Sequence, residues 1–124
     1  MNVKVDTISI AHEDARRRLI AVFNGTFVAK QIKIIEVKED SILGNHYHPY
    51  EELFYILKGE AHFTLVDIKT GEKKEITLVP SNRMVIGKEI AHKVRMLKDT
   101  ITIEATEMSY KSPEENDRKF IIHD

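Results

Sequence analysis

The chain has 124 residues, of which 42% are hydrophobic and 31% charged, and its formal net charge is −1. This balance is typical of one soluble globular domain and excludes a disordered chain. Basic residues are not concentrated in any part of the chain, so the sequence does not predict nucleic-acid binding. No apolar run reaches the roughly 18 residues that a membrane span needs. Cysteine is absent, so disulfides and thiolate ligands are excluded. With no hydrophobic signal segment at the start, we expect a cytoplasmic protein.

Short apolar runs follow one another at intervals of about ten residues, separated by turn residues such as those at 58–59 and 69–72. The predicted strands lie at 32–37, 53–57, 63–66, 76–79, 84–86, 94–97 and 101–105. Many short strands with almost no helical periodicity predict an all-β single domain, either a sandwich or a closed barrel. We expect an N-terminal segment at 1–29 with strands that join the barrel, a barrel core at 30–110, and a C-terminal polar loop and tail at 111–124.

The run from Leu53 to Leu57 is apolar at every position. Both faces of this strand should therefore be covered, one by the barrel interior and the other by a second sheet or a second subunit. The sequence on this basis predicts a homodimer.

The chemically informative segment begins at His46 and His48. Side chains two apart on a strand project from the same face, so these imidazoles point together while Tyr47 points away. Pro49 cannot donate to a sheet ladder, so the strand should end there and the chain turn back. Glu52 shares the even register of the two histidines, and its carboxylate can meet both imidazoles on the returning strand.

A third imidazole, His92, opens a later strand. Three neutral imidazoles and a carboxylate, His46, His48, Glu52 and His92, suit a divalent ion such as Zn²⁺, Fe²⁺, Mn²⁺, Ni²⁺ or Co²⁺. The alternative is a metal-free pocket in which His46 or His48 is the general base, since imidazole titrates near neutral pH.

The spacing of His46, His48, Glu52 and Gly59 resembles the first motif of the cupin family, and Gly44 precedes it at a shorter distance than usual. The second cupin motif is matched at Gly87 and His92, whereas Val85 and Met96 stand where the family has Pro and Asn. The resemblance implies a jelly-roll β-barrel, also called a double-stranded β-helix, and the metal ligands named above.

Within that family, the arrangement of 30–37 and 44–48, with Asp14-Ala15-Arg16 upstream, is similar to the nucleotide-sugar group. That group includes dTDP-4-dehydrorhamnose 3,5-epimerases and dTDP-4-keto-6-deoxyhexose ketoisomerases. The resemblance implies a small-molecule-binding protein that isomerises or epimerises a sugar or sugar nucleotide. In those enzymes a tyrosine is the partner acid. Of the four tyrosines, Tyr47 and Tyr55 fail the parity test against the histidines and Glu52, and nothing in the sequence selects Tyr50 or Tyr110.

Two other functions fit the same residues. An open Fe²⁺ site would support a dioxygenase that binds O₂ and a small organic substrate. A fold does not fix a function, so a non-enzymatic ligand-binding or sensor protein is the third hypothesis.

Overall fold

A computed structural model of the chain describes residues 1–123 and shows twelve strands and one short helix within them. Asp124, the last residue of the expected tail, lies outside the described residues. The strands are β1 (Val3–Thr7), β2 (His12–Glu13), β3 (Arg18–Leu19), β4 (Gln31–Glu36), β5 (Ser41–Tyr47), β6 (Glu52–Lys58), β7 (Ala61–Asp67), β8 (Lys73–Leu78), β9 (Asn82–Ile86), β10 (Ile90–Met96), β11 (Ile101–Thr106) and β12 (Arg118–Lys119). The helix is α1 (Pro113–Asn116).

Ten of these strands form two five-stranded antiparallel sheets. Sheet 1 has the order β1-β9-β6-β11-β4, and sheet 2 has the order β12-β5-β10-β7-β8. The main core lies between the sheets and includes Phe54, Phe63, Leu65, Met84 and Met96. Alternation along each strand sends every second side chain into this core, which is why the short apolar runs predicted the strands. The expected all-β jelly-roll fold is confirmed.

The outer face of sheet 1 is covered by the chain's own N-terminal segment. Leu53, Tyr55 and Ala105 point to this face, and they pack against partly buried apolar side chains. These side chains include Ile8, Ile20, Val22, Phe23 and Phe27. The second cover inferred for the 53–57 strand is therefore intramolecular, and the strand's apolar character does not require a second subunit. The homodimer stays a prediction.

The segment after β11, residues 107–123, is called the tail below. Ser112 caps α1 by accepting a hydrogen bond from the Glu115 N–H, and β12 then pairs with β5 at His46 and Tyr47. Ile122 is buried, and its N–H donates to Asn45 Oδ1 at 3.0 Å. The tail thus returns to one end of the barrel.

None of the helices within residues 1–123 has the length and apolar character to cross a membrane.

Candidate functional site

Three imidazoles converge inside one end of the barrel. One ring nitrogen from each of His46, His48 and His92 lies within 4.8 Å of the other two. His46 pairs directly with His92 across β5 and β10, and His48 follows the end of β5. Their ring centroids are 4.6 to 5.4 Å apart. The structure therefore brings together the three histidines that the sequence singled out.

A bulge in β5 sets the position of His46. The pairing with β10 shifts register between His92 and Lys93, and Gly44 and Asn45 both have positive φ, 96° and 59°. A Cβ on Gly44 would lie 2.5 Å from the His92 carbonyl oxygen, so only glycine lets the two strands approach this closely. This close approach of the two strands explains why a glycine, Gly44, stands two residues before His46.

Glu52 completes the cluster from sheet 1. Its side chain is buried, and Oε1 lies 2.9 Å from His48 Nε2 and 3.6 Å from His92 Nε2. Burial alone would raise the pKa of Glu52, but the two imidazoles and a hydrogen bond with Glu104 hold it well below its usual range. Glu52 is therefore an ionised carboxylate. The preceding residue, Glu51, lies outside the site, where its N–H donates to Glu107 Oε1.

The tail fixes the orientation of His48. The Nδ1–H of His48 donates to the Asn116 carbonyl oxygen at 2.7 Å, and Asp117 Oδ1 lies 3.3 Å from the same nitrogen. Tyr50 stacks on the His48 ring at 4.9 Å, and its hydroxyl accepts a hydrogen bond from Asn116 Nδ2. This arrangement leaves Nε2 of His48 directed at Glu52. Although burial opposes it, the hydrogen bond to Glu52 raises the pKa of His48.

Burial lowers the pKa of the other two imidazoles. For the fully enclosed His92 the pKa falls to about 4, even though the charge of Glu52 opposes the change. For His46, burial and the neighbouring His48 lower the pKa. Both rings are therefore neutral at pH 7, the state in which imidazole binds a metal or accepts a proton.

A second buried carboxyl, Glu104 on β11, hydrogen-bonds to Glu52. Burial and the negative charge of Glu52 raise the pKa of Glu104 to about 8, so a proton is retained between the two carboxyls at neutral pH. Lys33 on β4 approaches from the other side, with Nζ 3.3 Å from Glu104 Oε1.

Two cavities meet at His46. An inner cavity of about 160 Å³ lies between the sheets, with polar groups from Lys33, His46, His92 and Glu104 and an apolar wall that includes Phe54. An outer cavity of about 440 Å³ is lined by Gly44, Asn45 and His46 of β5 and by tail residues including Asp117 and Lys119. A ligand that enters from the tail side therefore meets His46 before it reaches Glu104.

The residues present fit a divalent ion. Ligand atoms roughly 2.1 Å from one ion lie about 3 to 3.5 Å from each other, close to the two distances from Glu52 Oε1 to the imidazoles. A bound imidazole needs a partner on its other nitrogen, and the Asn116 carbonyl meets this need for His48. The neutral nitrogens of His46 and His92 and the ionised carboxylate of Glu52 have the chemistry that such an ion requires.

Three further residues of this site were missed in the sequence. Glu104 lies in an apolar run, where a single charged residue on a strand that should face the core was the available signal. Asn116 and Asp117 lie in the tail, which was interpreted as a polar loop, and no periodicity links them to His48.

Comparison with known proteins identifies a family and several solved structures with the same fold. The family model of the cupin domain matches residues 33–106, more than half of the chain. A TDP-fucose-3,4-ketoisomerase from Campylobacter jejuni is 25% identical, with a TM-score of 0.77 over 94% of this chain and 88% of that one. A 3,4-ketoisomerase from Helicobacter canadensis is also 25% identical, with a TM-score of 0.79 over 94% and 90% of the two chains.

A dTDP-4-dehydrorhamnose 3,5-epimerase from Bacillus anthracis, solved with TDP and PPi bound, shares the fold at 17% identity. Its TM-score is 0.78, over 93% of this chain and 77% of that one. No curated protein matches the chain. From the match of the family model, together with the two facing sheets and the histidine cluster between them, the chain belongs to the cupin family.

Proposed function

We propose that this protein is an isomerase or epimerase that acts on a keto sugar or its nucleotide derivative, with a divalent ion bound by His46, His48, Glu52 and His92. The observation that carries the reaction class is the likeness to two 3,4-ketoisomerases over 94% of the chain at 25% identity. Both reaction types remove a proton from the carbon next to a carbonyl, without net oxidation. An epimerase returns a proton to the opposite face of that carbon, whereas a ketoisomerase returns one to the former carbonyl carbon, so that the carbonyl moves to its neighbour. The site therefore needs a group that polarises the carbonyl and a group that moves a proton.

The four proposed ligands meet the first need. A divalent ion held by them would supply a Lewis acid that polarises a carbonyl oxygen. Glu52 brings the negative charge, and the barrel keeps His92 neutral, so neither ligand has to lose a proton at pH 7. His48 is the exception. Its Nε2 carries a proton toward Glu52 in the metal-free protein, and this proton must leave before the nitrogen can bind the ion.

Glu104 meets the second need. It lines the inner cavity without being one of the four ligands, so its carboxyl is available to take or give a proton. Lys33 lies 3.3 Å away and compensates the charge when Glu104 is ionised. The apolar wall of the cavity excludes water from the proton that is moved.

A metal-free mechanism is the second candidate, and one observation favours it. Burial lowers the pKa of His46, so this ring is neutral, and it lines both cavities. In this mechanism His46 is the general base, while the charged His48, held by Glu52 and Asn116, serves as a hydrogen-bond donor.

Solvent-deuterium exchange tests the proposal. The protein is incubated in D₂O with a dTDP-4-keto-6-deoxyhexose, and NMR follows deuterium entry next to the carbonyl and the appearance of isomer. We expect exchange by the metal-loaded protein, loss of exchange in Glu104→Gln with metal content unchanged, and no effect of His62→Ala on the outer face. Absence of exchange by the metal-loaded wild type would contradict the isomerase assignment.

The two mechanisms differ after treatment with a chelator. If exchange persists in EDTA and is lost in His46→Asn, the metal-free mechanism is supported. If EDTA abolishes exchange and an added divalent ion restores it, the metal-dependent mechanism is supported.

A further inference from the structure

A separate cavity lies on the opposite face of sheet 1 from the histidine cluster. Its volume is about 210 Å³, and its floor includes Leu53 of β6 and Val85 of β9, which pair across the two strands. Alternation along β6 turns Glu52 inward and Leu53 outward, so the sheet separates this cavity from the proposed metal ligands. It is called the N-terminal cavity below.

The segment that covers sheet 1 also forms the apolar wall of this cavity. Phe23 and Phe27 meet edge to face, with ring centroids 5.8 Å apart, and the exposed loop of residues 24–26 between them completes the lining. An apolar cavity of about 150 Å³ is large enough to hold one benzene ring. The N-terminal cavity therefore has room for one ring and a small polar group.

The charged side chains that line this cavity carry one excess positive charge. The Arg83 guanidinium donates to both carboxylate oxygens of Asp6, at 3.0 and 2.6 Å, and to the Val22 carbonyl oxygen at 3.0 Å. Hydrogen bonding from Arg83 lowers the pKa of Asp6, so this acid is ionised and neutralises the arginine. Lys4 is the remaining charged residue of the lining. It acts on Asp6 only at longer range and forms no ion pair within residues 1–123.

We propose that the N-terminal cavity binds a small monoanion that carries an apolar ring, namely an aromatic carboxylate. The ring would lie on the apolar floor beside the two phenylalanines, where it leaves water and contacts their rings. The carboxylate would pair with Lys4 and accept an N–H of Arg83, because the contacts described above use three of the five guanidinium donors. Binding here is independent of the proposed isomerase chemistry, since no residue of the histidine cluster lines this cavity.

NMR shifts of the backbone amides test the proposal, with benzoate as the probe. EDTA is added so that benzoate cannot bind through a metal ion. We expect benzoate at millimolar concentration to shift the amides of residues 23–27, Leu53 and Val85. Benzyl alcohol has the ring without the charge, so it should bind roughly fivefold more weakly. No shift of these amides by benzoate, or equal affinities for the two compounds, would overturn the proposal.

Charge reversal at Lys4 tests the origin of the selectivity. Lys4 is exposed on an edge strand, so its substitution leaves the core intact. Lys4→Glu changes the excess charge of the lining from one positive to one negative. It should weaken benzoate binding by roughly fivefold or more and make benzylammonium the better ligand. The matched control is Lys74→Glu, at an exposed lysine of β8 in sheet 2, which should leave the preference for benzoate unchanged. If Lys4→Glu still prefers benzoate, or if Lys74→Glu loses that preference, the assigned site is wrong.

Discussion

The site has two halves that the protein holds in different ways. The inner half consists of Glu52, His92 and Glu104, which are buried on the central strands β6, β10 and β11. The outer half consists of His46 and His48 at the end of β5, where the tail also contacts them. Sheet register and burial determine the inner half, whereas in the outer half the β5 bulge places His46 and hydrogen bonds from the tail orient His48.

The inner half therefore controls the charge of the site, and the outer half controls the orientation of a ligand side chain. In the inner half, low solvent exposure shifts the pKa values of the two carboxyls in opposite directions, so burial sets the charge of the site. In the outer half, the Asn116 carbonyl selects which nitrogen of His48 faces Glu52, so the tail sets orientation. Substitutions in the inner half should change charge and stability, and substitutions in the outer half should change ligand geometry.

The largest effect is expected for Glu52→Gln, measured in EDTA at pH 7. The change leaves the buried His48 without its carboxylate, and loss of one partner of a buried pair costs about 3 kcal/mol of the free energy of unfolding. The matched control is Glu60→Gln, which breaks an exposed Glu–His pair with His62 and should cost less than about 1 kcal/mol. Urea denaturation measures both. Equal losses for the two variants would show that burial does not control the inner half.

The next effect depends on pH. The folded-state pKa of Glu104 is raised to about 8, above its ordinary value of 4.5, so its contribution to stability is full below the ordinary pKa and is lost as pH rises toward 8. Glu104→Gln removes this loss. The variant should therefore gain stability relative to the wild type by more than about 1 kcal/mol between pH 5 and pH 8. Denaturation in EDTA at both pH values measures the change, and a pH-independent difference would contradict a protonated Glu104.

In the outer half, Tyr50→Phe removes the hydroxyl that accepts from Asn116 and keeps the ring stacked on His48. One lost hydrogen bond should cost about 1 kcal/mol. A divalent ion should bind roughly tenfold more weakly, because His48 is oriented less firmly. Competition with a chelating dye measures the affinity. Tyr110→Phe, at a half-exposed tyrosine of the tail, is the control. Unchanged affinity in Tyr50→Phe would show that the tail does not orient the ligand.

The smallest effect is expected for Asp117→Asn. Asp117 raises the pKa values of His46 and His48, so its neutralisation should lower both. Solvent reaches Asp117 and screens its charge, so each change should be less than about 1 unit. An NMR titration in EDTA measures the two pKa values, with Glu114→Gln as the control for a nearby acid. A rise in either pKa would contradict the assigned contacts.

The same division explains what could be predicted from the sequence. Strand alternation and the His-x-His spacing placed Glu52, Phe54 and Ile56 on the inward face of β6, because parity is a local property of a strand. Gly59 and Gly87 likewise marked turns. The tail contacts of His48 join residues 68 positions apart, and nothing local in the sequence encodes that approach.

The segment that packs on Leu53 and Tyr55 could not be predicted from the sequence either. Their apolar character required a cover, but it did not distinguish the chain's own N-terminal segment from a second subunit. The Gly44 bulge was visible only as unusual spacing, since its cause is the close approach of the His92 backbone. The contacts made by the tail and by the N-terminal segment were therefore the part that the sequence did not show.

Elemental analysis of the protein purified without added metal tests the central claim most directly, in parallel with the double variant His46→Ala, His48→Ala. The account predicts about one divalent ion per chain in the wild type and none in the double variant, because two of the four proposed ligands, both in the histidine cluster, are removed. A folded double variant that retains the ion, or a wild type that binds none when divalent ions are supplied, would contradict a metal site at this cluster.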